Sequence, residues 1–207
     1  MKRDDEHARF EEMLRRRGVS AKGNPVVERE ILENFQDDCA VLILDSSGFT
    51  RLTQKYGIIH FLSLFLALRG VVEPLFKPHH AIGNWADADN IFAIFPTAKF
   101  AVECALAVQE AVRASNEPRS ADDRLDVCIG VGSGKMLRVG KTNIFGDEMN
   151  LASKLGEDVA GPGEILLTDH AYEEVRELVA GHNPEPCATR ISGVEIPYFK
   201  IRCALAR

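Results

Sequence analysis

Two aspartates stand beside short apolar runs in this sequence, where they could support metal chemistry. Asp45 follows the run 41–44, and Asp89 shortly precedes the run 91–95. A short apolar run next to an acidic turn residue is typical of a buried strand that ends in an exposed carboxylate. If the two strands are neighbours, the carboxylates can bind two divalent cations, Mg²⁺ or Mn²⁺. Two bound cations stabilise the attacking and leaving oxygens of phosphoryl transfer. We therefore predict metal-assisted nucleotide chemistry.

Composition narrows the partners and the compartment. The chain has 207 residues, is 45% hydrophobic and carries a formal charge of −6. This predicts a globular domain and disfavours a surface for duplex nucleic acid, which needs clustered Lys and Arg. The cysteines lack metal-ligand spacing and predict free thiols, and no apolar signal core follows the first residues, so we expect a cytoplasmic protein. The five cysteines are Cys39, Cys104, Cys128, Cys187 and Cys203.

One apolar stretch, 58–68, resembles a membrane segment. Arg69 and Glu73 interrupt it before it reaches the ~18–20 apolar residues that a spanning helix needs. We therefore predict no membrane span. Its apolar residues would surround a helix almost completely, which predicts burial against both the chain's own sheet and a second subunit.

The order of the predicted elements indicates an α+β fold. Residues 1–37 form a helical appendage with helices at 5–17 and 26–35, and residues 38–207 form the catalytic domain. Strands are predicted at 39–45, 80–86, 90–95, 124–131, 136–139, 164–167 and 196–201, with a turn at 132–134. Helices lie between 50 and 77, from the N-cap residue Thr97 to about 115, at 147–157 and from Asp169. This order predicts a ferredoxin-like sandwich with a mainly antiparallel sheet and flanking helices.

Five segments in order resemble the class III nucleotidyl cyclase catalytic domain, over about residues 37–202. They are LDSSGFT (44–50), ADNIFAIF (88–95), IGVGSG (129–134), FGDEMNLASK (145–154) and PGEILLT (162–168). The resemblance implies conversion of a nucleoside triphosphate (NTP) to a cyclic nucleotide. It also implies a head-to-tail homodimer whose active sites are shared between subunits.

The resemblance assigns roles to particular residues. The two metal ligands map onto Asp45 and Asp89, whereas Asp87 is expected to be a solvated turn residue. Asn150 falls on the asparagine that orients the ribose. Lys154 stands where the family usually has a transition-state arginine. Lys135, in the predicted turn after Gly134, lies near a triphosphate-binding position. The turn that would direct backbone N–H groups at the triphosphate comprises Ser46, Ser47, Gly48, Phe49 and Thr50.

The base-reading positions depart from both purine patterns of the family. Adenine-specific members carry lysine four residues before the second metal aspartate, but this chain has Trp85 there. Seven residues before Asn150 it has Asn143. A bulky indole shortens a pocket, and an amide both donates and accepts, which suits uracil or cytosine. The combination resembles the pyrimidine cyclases of bacterial antiphage signalling, which act with a separate effector that binds the cyclic nucleotide.

Two other hypotheses remain open. The chain could be an adenylate cyclase with a divergent base pocket. It could also be an inactive cyclase fold that serves as a binding module, since the usual lysine and arginine are absent. Both metal aspartates and Asn150 disfavour this second reading, because unpaired carboxylates repel each other without a cation. A diguanylate cyclase is disfavoured, because the Gly-Gly-Asp/Glu-Glu-Phe hairpin is missing at Asp89.

Overall fold

A computed structural model describes residues 3–191 and 193–202. Its helices are α1 (Arg3–Arg17), α2 (Pro25–Phe35), α3 (Phe49–Tyr56), α4 (Ile58–Phe76), α5 (Ala98–Asn116), α6 (Asp147–Lys154) and α7 (Asp169–Val179). Its strands are β1 (Gln36–Ser46), β2 (Gly83–Asp87), β3 (Asn90–Phe95), β4 (Val127–Val139), β5 (Asn143–Phe145), β6 (Glu164–Thr168), β7 (Glu185–Ile191) and β8 (Val194–Arg202). A π-helical turn, Leu155–Val159, continues α6.

The strands form one sheet in the order β2-β3-β1-β4-β6-β8-β7, and β5 pairs with β4. All pairings are antiparallel except that of β4 with β6. Side chains of β1 alternate between two apolar clusters: Leu42 and Leu44 face one with α4, α5 and α7, whereas Val41 and Ile43 face another that includes Ala152 of α6. The predicted α+β architecture with a mainly antiparallel sheet is therefore confirmed.

The predicted turn at 132–134 was wrong, because these residues lie inside the long strand β4. Gly132 and Gly134 pair with Val41 and Cys39 of β1. The glycines at 130 and 132 allow α6 to approach the sheet closely. A Cβ on Gly130 would lie 2.0 Å from the Ala152 carbonyl oxygen, and one on Gly132 would lie 2.6 Å from the Glu148 carbonyl oxygen. The glycines that suggested a turn are instead explained by the close packing of α6 against β4.

Two strands were not predicted from the sequence. β5 has three residues, too few for a periodic signal, and β7 contains charged residues and a proline. The helix predicted at 147–157 ends at Lys154 and passes into the π-helical turn. Thr97 is at the N-cap of α5 as predicted, but its side chain makes no capping hydrogen bond.

Helix α4 is long and apolar enough to cross a membrane by length and composition alone. Five of its side chains, Phe61, Phe65, Leu68, Val72 and Phe76, are buried in the core of the chain. Ile59, Leu62 and Leu66 are 73%, 49% and 68% exposed, respectively. Within one chain, therefore, α4 is buried on one side only, and the predicted burial of its other side against a second subunit stays a prediction.

The N-terminal helices pack on the rest of the chain. Phe10 and Met13 of α1 share an apolar cluster with Ile31 of α2 and Val139 of β4. Asp37 and Arg138 add an ion pair of 2.6 Å next to this cluster. The first helices therefore contact the β4–β5 hairpin directly, although the predicted domain boundary at residue 37 remains a prediction.

The described cysteines are free thiols, as predicted. Cys39, Cys104 and Cys128 are buried, and Cys187 is partly buried. Burial raises the pKa of each of the three buried thiols to about 12, so they stay protonated and unreactive at neutral pH. Cys203 lies outside the described residues.

Candidate active site

The two predicted metal ligands lie at one end of neighbouring strands. Asp45 is the penultimate residue of β1 and pairs with Asn90, the first residue of β3. Asp89 directly precedes Asn90 in the β2–β3 turn. Burial, together with the nearby carboxylates of Asp89 and Glu157, raises the pKa of Asp45 to about 7. The fold thus places two carboxylates where a cation would relieve their repulsion.

Asp87 differs from Asp89 in its surroundings. Its side chain is exposed at the end of β2, whereas that of Asp89 is partly buried. Asp89, and not Asp87, is among the charges that raise the Asp45 pKa. Asp87 is thus solvent-exposed, as expected, but it is the last residue of β2, and Ala88 and Asp89 form the turn.

The side chains present fit divalent cations that share their remaining ligands with a substrate. Among residues 3–191 and 193–202, no group of three or more His, Cys, Asp or Glu side chains could hold a metal ion alone. Mg²⁺ is usually bound by one or two carboxylates together with water and substrate phosphates, so a closed cage is not required. Asn90 supports this fit, because its buried Oδ1 has no hydrogen-bond partner and its Cα pairs with that of Asp45.

Sequence reasoning missed both Asn90 and Glu157 as neighbours of this pair. Asn90 directly follows Asp89, so its proximity could have been inferred from the hairpin register. The proximity of Glu157 could not have been inferred, because the π-helical turn that carries it is positioned by contacts with residues distant in sequence. A Cβ on Gly156 would lie 2.9 Å from the Gly130 nitrogen and 3.1 Å from the Ile43 carbonyl oxygen. A glycine at 156 therefore permits Glu157 to lie near Asp45.

The turn after β1 only partly matches the predicted phosphate-binding loop. The backbone N–H of Ser47 donates to the Asp126 carbonyl oxygen at 2.9 Å, so it is already engaged. Ser46 is buried with an unpartnered Oγ. Gly48 has φ +100° and is the N-cap of α3, which begins at Phe49. The first N–H groups of α3, including that of Thr50, remain the candidate phosphate donors in this turn.

Asn150 and Lys154 lie one helical turn apart on α6, and both are exposed. Glu148 and Ala152, on the opposite face, are buried against β4. The structure thus brings the two predicted catalytic residues together on the outer face of the helix. Lys154 is not free, however, because its Nζ donates to Asp158 Oδ2 at 2.9 Å. Binding a phosphate would require this exposed contact to open.

Lys135 was predicted to lie in a turn, and this was wrong. It is an exposed residue within β4, paired with Asp38 of β1. A cavity of about 400 Å³ beside it is also lined by Asp147, Glu148 and His170. With Asp38, three carboxylates line this cavity, which is unlike the cationic surroundings of a triphosphate. The assignment of Lys135 to triphosphate binding remains a prediction without added support.

Trp85 lies on β2 and packs within its own chain. Its ring stacks on Phe92 of β3 with centroids 4.9 Å apart and an interplanar angle of 8°. The indole is partly buried against the apolar cluster that contains Ile94 and Ile144. It therefore fills space on the sheet face that carries Asp45 and keeps a partly exposed surface for contact with a ligand or a subunit.

Asn143 is directed toward the N-terminal helix. Its amide nitrogen is within hydrogen-bonding distance of His7 Nε2 on α1. Two residues along β5, the ring of Phe145 stacks on Phe10 of α1 at 5.9 Å. Ile144, between them, is buried in the cluster against which Trp85 packs. Alternation along β5 thus places the side chains of Asn143 and Trp85 on opposite faces of this strand.

Comparisons with known proteins agree on the fold. No protein-family model matches the chain. A putative adenylate cyclase 3 from Rhizobium meliloti is 31% identical over 136 residues, which is 66% of this chain but only 23% of that relative's length. A structure of an adenylate/guanylate cyclase/hydrolase from Silicibacter pomeroyi aligns with a TM-score of 0.69 and 23% identity, covering 81% of this chain and 97% of that one. The adenylyl cyclase CyaB from P. aeruginosa aligns with a TM-score of 0.66 and 17% identity, covering 80% and 94%. The chain therefore has the fold of the class III adenylate and guanylate cyclase catalytic domains.

Proposed function

We propose that the chain is a nucleotidyl cyclase that converts an NTP to a 3′,5′-cyclic nucleotide and pyrophosphate. The observation that carries this proposal is the carboxylate pair Asp45 and Asp89 at adjacent strand ends, beside the unpartnered Oδ1 of Asn90. The relatives that share the fold support the same reaction class, because their names describe adenylate and guanylate cyclases.

In the proposed reaction the ribose 3′-oxygen attacks the α-phosphorus, the bond from that phosphorus to the bridging oxygen breaks, and pyrophosphate leaves. The 3′-hydroxyl proton is lost to solvent or to a base. Divalent cations held by Asp45 and Asp89 would supply the positive charge that favours the alkoxide and the leaving group. The protein's own part is mainly positioning: Asn150 orients the ribose, and Lys154 adds charge near the reacting phosphate.

We propose that the active enzyme is a homodimer whose subunits share each site. Asn150 and Lys154 lie on the exposed face of α6, where side chains can reach a nucleotide held by another subunit. The exposed apolar residues of α4 also leave surface for association. These observations support the dimer that the sequence resemblance implies.

We propose that the substrate is a pyrimidine nucleotide, UTP or CTP, and that the enzyme selects it by its base. The support is the pair of departures from the purine patterns, Trp85 and Asn143, although within one chain the two side chains lie on opposite faces of β5. Trp85 stacked on Phe92 occupies space that a smaller side chain would leave open. A shortened pocket favours the smaller bases by the loss of room for a second ring.

We further propose that the product is a second messenger in antiphage defence, detected by a separate effector in the cytoplasm. This rests on the resemblance to pyrimidine cyclases, and the free thiols support the compartment. The test is to infect cells that carry the gene and to quantify cyclic nucleotides by mass spectrometry. An unchanged cyclic nucleotide pool during infection would contradict the defence role but not the cyclase activity.

An adenylate cyclase with a divergent pocket is the second candidate, favoured by the name of the 31% identical relative. The two candidates differ in product. Purified protein should be incubated with each of the four NTPs and Mg²⁺ or Mn²⁺, and the cyclic products identified by mass spectrometry. We expect cUMP or cCMP. Predominant cAMP would select the alternative, and the absence of any cyclic product with all NTPs would favour an inactive binding module.

A further inference from the structure

Helix α1 contacts the β4–β5 hairpin at the position assigned to base reading. Three residues on one face of α1 approach the hairpin. A Cβ on Gly140 would lie 3.6 Å from the Glu6 Oε2 atom, His7 contacts the Asn143 amide, and Phe10 stacks on Phe145. The stacking and the buried cluster around Phe10 fix the helix against the hairpin, so the His7 contact is part of a packed interface.

The contact limits what the Asn143 amide can offer to a ligand. An asparagine side chain has one acceptor and one donor end. With its nitrogen directed at His7 Nε2, the neutral imidazole accepts through that atom and carries its proton on Nδ1. The oxygen Oδ1 is then the end that remains for a ligand. Without His7, rotation of the amide by half a turn would present either end.

A cavity lies between α1, β2 and the β4–β5 turn. This cavity, of about 520 Å³, is lined by Glu6 of α1, Asn84 of β2, and Lys141 and Thr142 of the β4–β5 turn, among others. Glu6 and Thr142 are the immediate chain neighbours of His7 and Asn143, and Asn84 precedes Trp85. The cavity therefore lies next to the elements that carry the base-reading positions, although the side chains of His7, Asn143 and Trp85 do not line it.

We propose that His7 is a positioning residue for base selection: it holds the amide nitrogen of Asn143 so that Oδ1 accepts an N–H group of the base. The matching groups on pyrimidines are N3–H of uracil and the N4 amino group of cytosine. This inference rests on the proposed cyclase function and on the assignment of Asn143 to the base. It makes α1 a contributor to specificity.

The test compares three variants of the full chain. His7→Leu removes the hydrogen bond, and His7→Gln keeps an amide at similar reach as a rescue. Phe10→Leu is the matched control, because it loosens the packing of α1 without touching Asn143. The measurements are kcat and KM with each NTP, thermal stability, and Kd for the four α,β-methylene NTP analogues, which cannot be cyclised.

We expect His7→Leu to narrow the ratio of Kd values between the preferred and the poorest base by about 5- to 30-fold, mainly through the preferred base. His7→Gln should restore most of the ratio, and Phe10→Leu should lower the melting temperature with an unchanged ratio. Adding Asn143→Leu to His7→Leu should cause little further loss, since both act through one contact.

Unchanged ratios in His7→Leu, or an equal change in Phe10→Leu, would overturn the inference. So would a rise in kcat on removal of His7, which would make the contact an inhibitory latch. The binding assay separates this inference from the proposed function. A protein that binds analogues with His7-dependent selectivity but makes no cyclic product would retain the inference and refute the cyclase, whereas a wild type that binds none of the analogues would overturn the inference too.

Discussion

Two regions of the molecule are built in different ways. The carboxylate region comprises Asp45, Asp89 and Asn90; regular backbone pairing places Asp45 opposite Asn90, which directly follows Asp89. The hairpin region comprises the β4–β5 hairpin and α1, which meet through the contact of His7 with Asn143 across 136 positions of sequence. The first is set by sheet register, and the second by packing between distant side chains.

We expect the carboxylate region to support the reaction and the hairpin region to select the base. In the carboxylate region, burial and then the neighbouring carboxylates of Asp89 and Glu157 raise the pKa of Asp45, and a bound cation would offset the cost of its charge. In the hairpin region, the polar contact of His7 with Asn143 lies beside the stacked rings of Phe10 and Phe145. We therefore expect substitutions in the first region to abolish turnover and those in the second to change the choice of base.

The largest effect should come from the carboxylates. Asp45→Asn and Asp89→Asn each remove one of the charges that would hold the cations, so kcat/KM should fall by at least ~10³-fold, or about 4 kcal/mol of transition-state stabilisation. Asp87→Asn is the matched control in the same hairpin and should stay within about threefold of wild type. The assay is cyclic product formation with the preferred NTP. Equal losses in all three variants would mean that the hairpin as a whole, rather than a cation pair, is required.

The second effect concerns whether one chain holds a complete site. Asp45→Asn and Asn150→Ala should each be inactive alone, yet mixed dimers should regain activity because one of their two interfaces carries every residue. Random mixing gives half heterodimers with one intact site each, so about a quarter of wild-type activity is expected. Differently tagged subunits allow the heterodimer to be purified. Inactive heterodimers of confirmed composition would indicate that each chain contains a whole site.

A smaller effect is expected from Trp85, in the space between the two regions. Trp85→Ala removes the ring stacked on Phe92 and should enlarge the pocket. We expect the ratio of kcat/KM for the preferred pyrimidine NTP to kcat/KM for ATP to fall by about 10- to 200-fold, or ~1–3 kcal/mol. The cation requirement should be unchanged. Trp85→Phe, which retains a stacked ring, is the control. Base ratios that do not move in the alanine variant would assign Trp85 to packing alone.

Much of the carboxylate region could be predicted from sequence, for a physical reason. Apolar runs beside Asp45 and Asp89 indicate strands, and strand ends are where carboxylates become exposed. The fold class followed from the same patterns. The predicted turn at 132–134 failed because a glycine reports only that space is tight, and in β4 the space is taken by α6.

The hairpin region was not predictable in the same way. His7 has no periodic or motif signal that links it to Asn143, and β5 has only three residues. The Asp158 partner of Lys154 could have been anticipated from i, i+4 spacing, but the π-helical turn between them could not. Contacts between side chains that are distant in sequence require the packed structure.

Substitutions of Lys154 on α6 should have a moderate effect on kcat and test whether α6 acts together with the carboxylate region. Lys154→Ala removes a positive charge near the proposed reacting phosphate and should lower kcat by ~10-fold with a smaller change in KM. Lys154→Arg keeps the charge and adds a planar fork, so it should match or exceed wild type. Asp158→Asn frees Lys154 from its present partner and should not lower kcat. A neutral alanine variant would make Lys154 a surface residue.

The smallest effect is on stability without metal. Asp45 has a folded-state pKa of about 7, raised from 3.8. Between these values the folded chain keeps a proton that the unfolded chain releases, so the free energy of unfolding should decrease as pH rises from about 4 to about 7. The Asp45→Asn variant should not show this decrease in the free energy of unfolding. Allowing for solvent screening, we expect it to stabilise the metal-free protein by ~1–2 kcal/mol at pH 8, or about 2–6 °C, and hardly at pH 4.

The measurement is thermal unfolding in a chelating buffer at both pH values, followed by addition of Mg²⁺. Cation binding to the folded state should raise the melting temperature of wild type and of Asp87→Asn, and much less that of Asp45→Asn. The Asp87→Asn variant, altered at an exposed carboxylate of the same hairpin, is the control. A metal-free Asp45→Asn protein no more stable than wild type at pH 8 would mean that this carboxylate is not under electrostatic stress, and the contrast between the two regions would then rest on geometry alone.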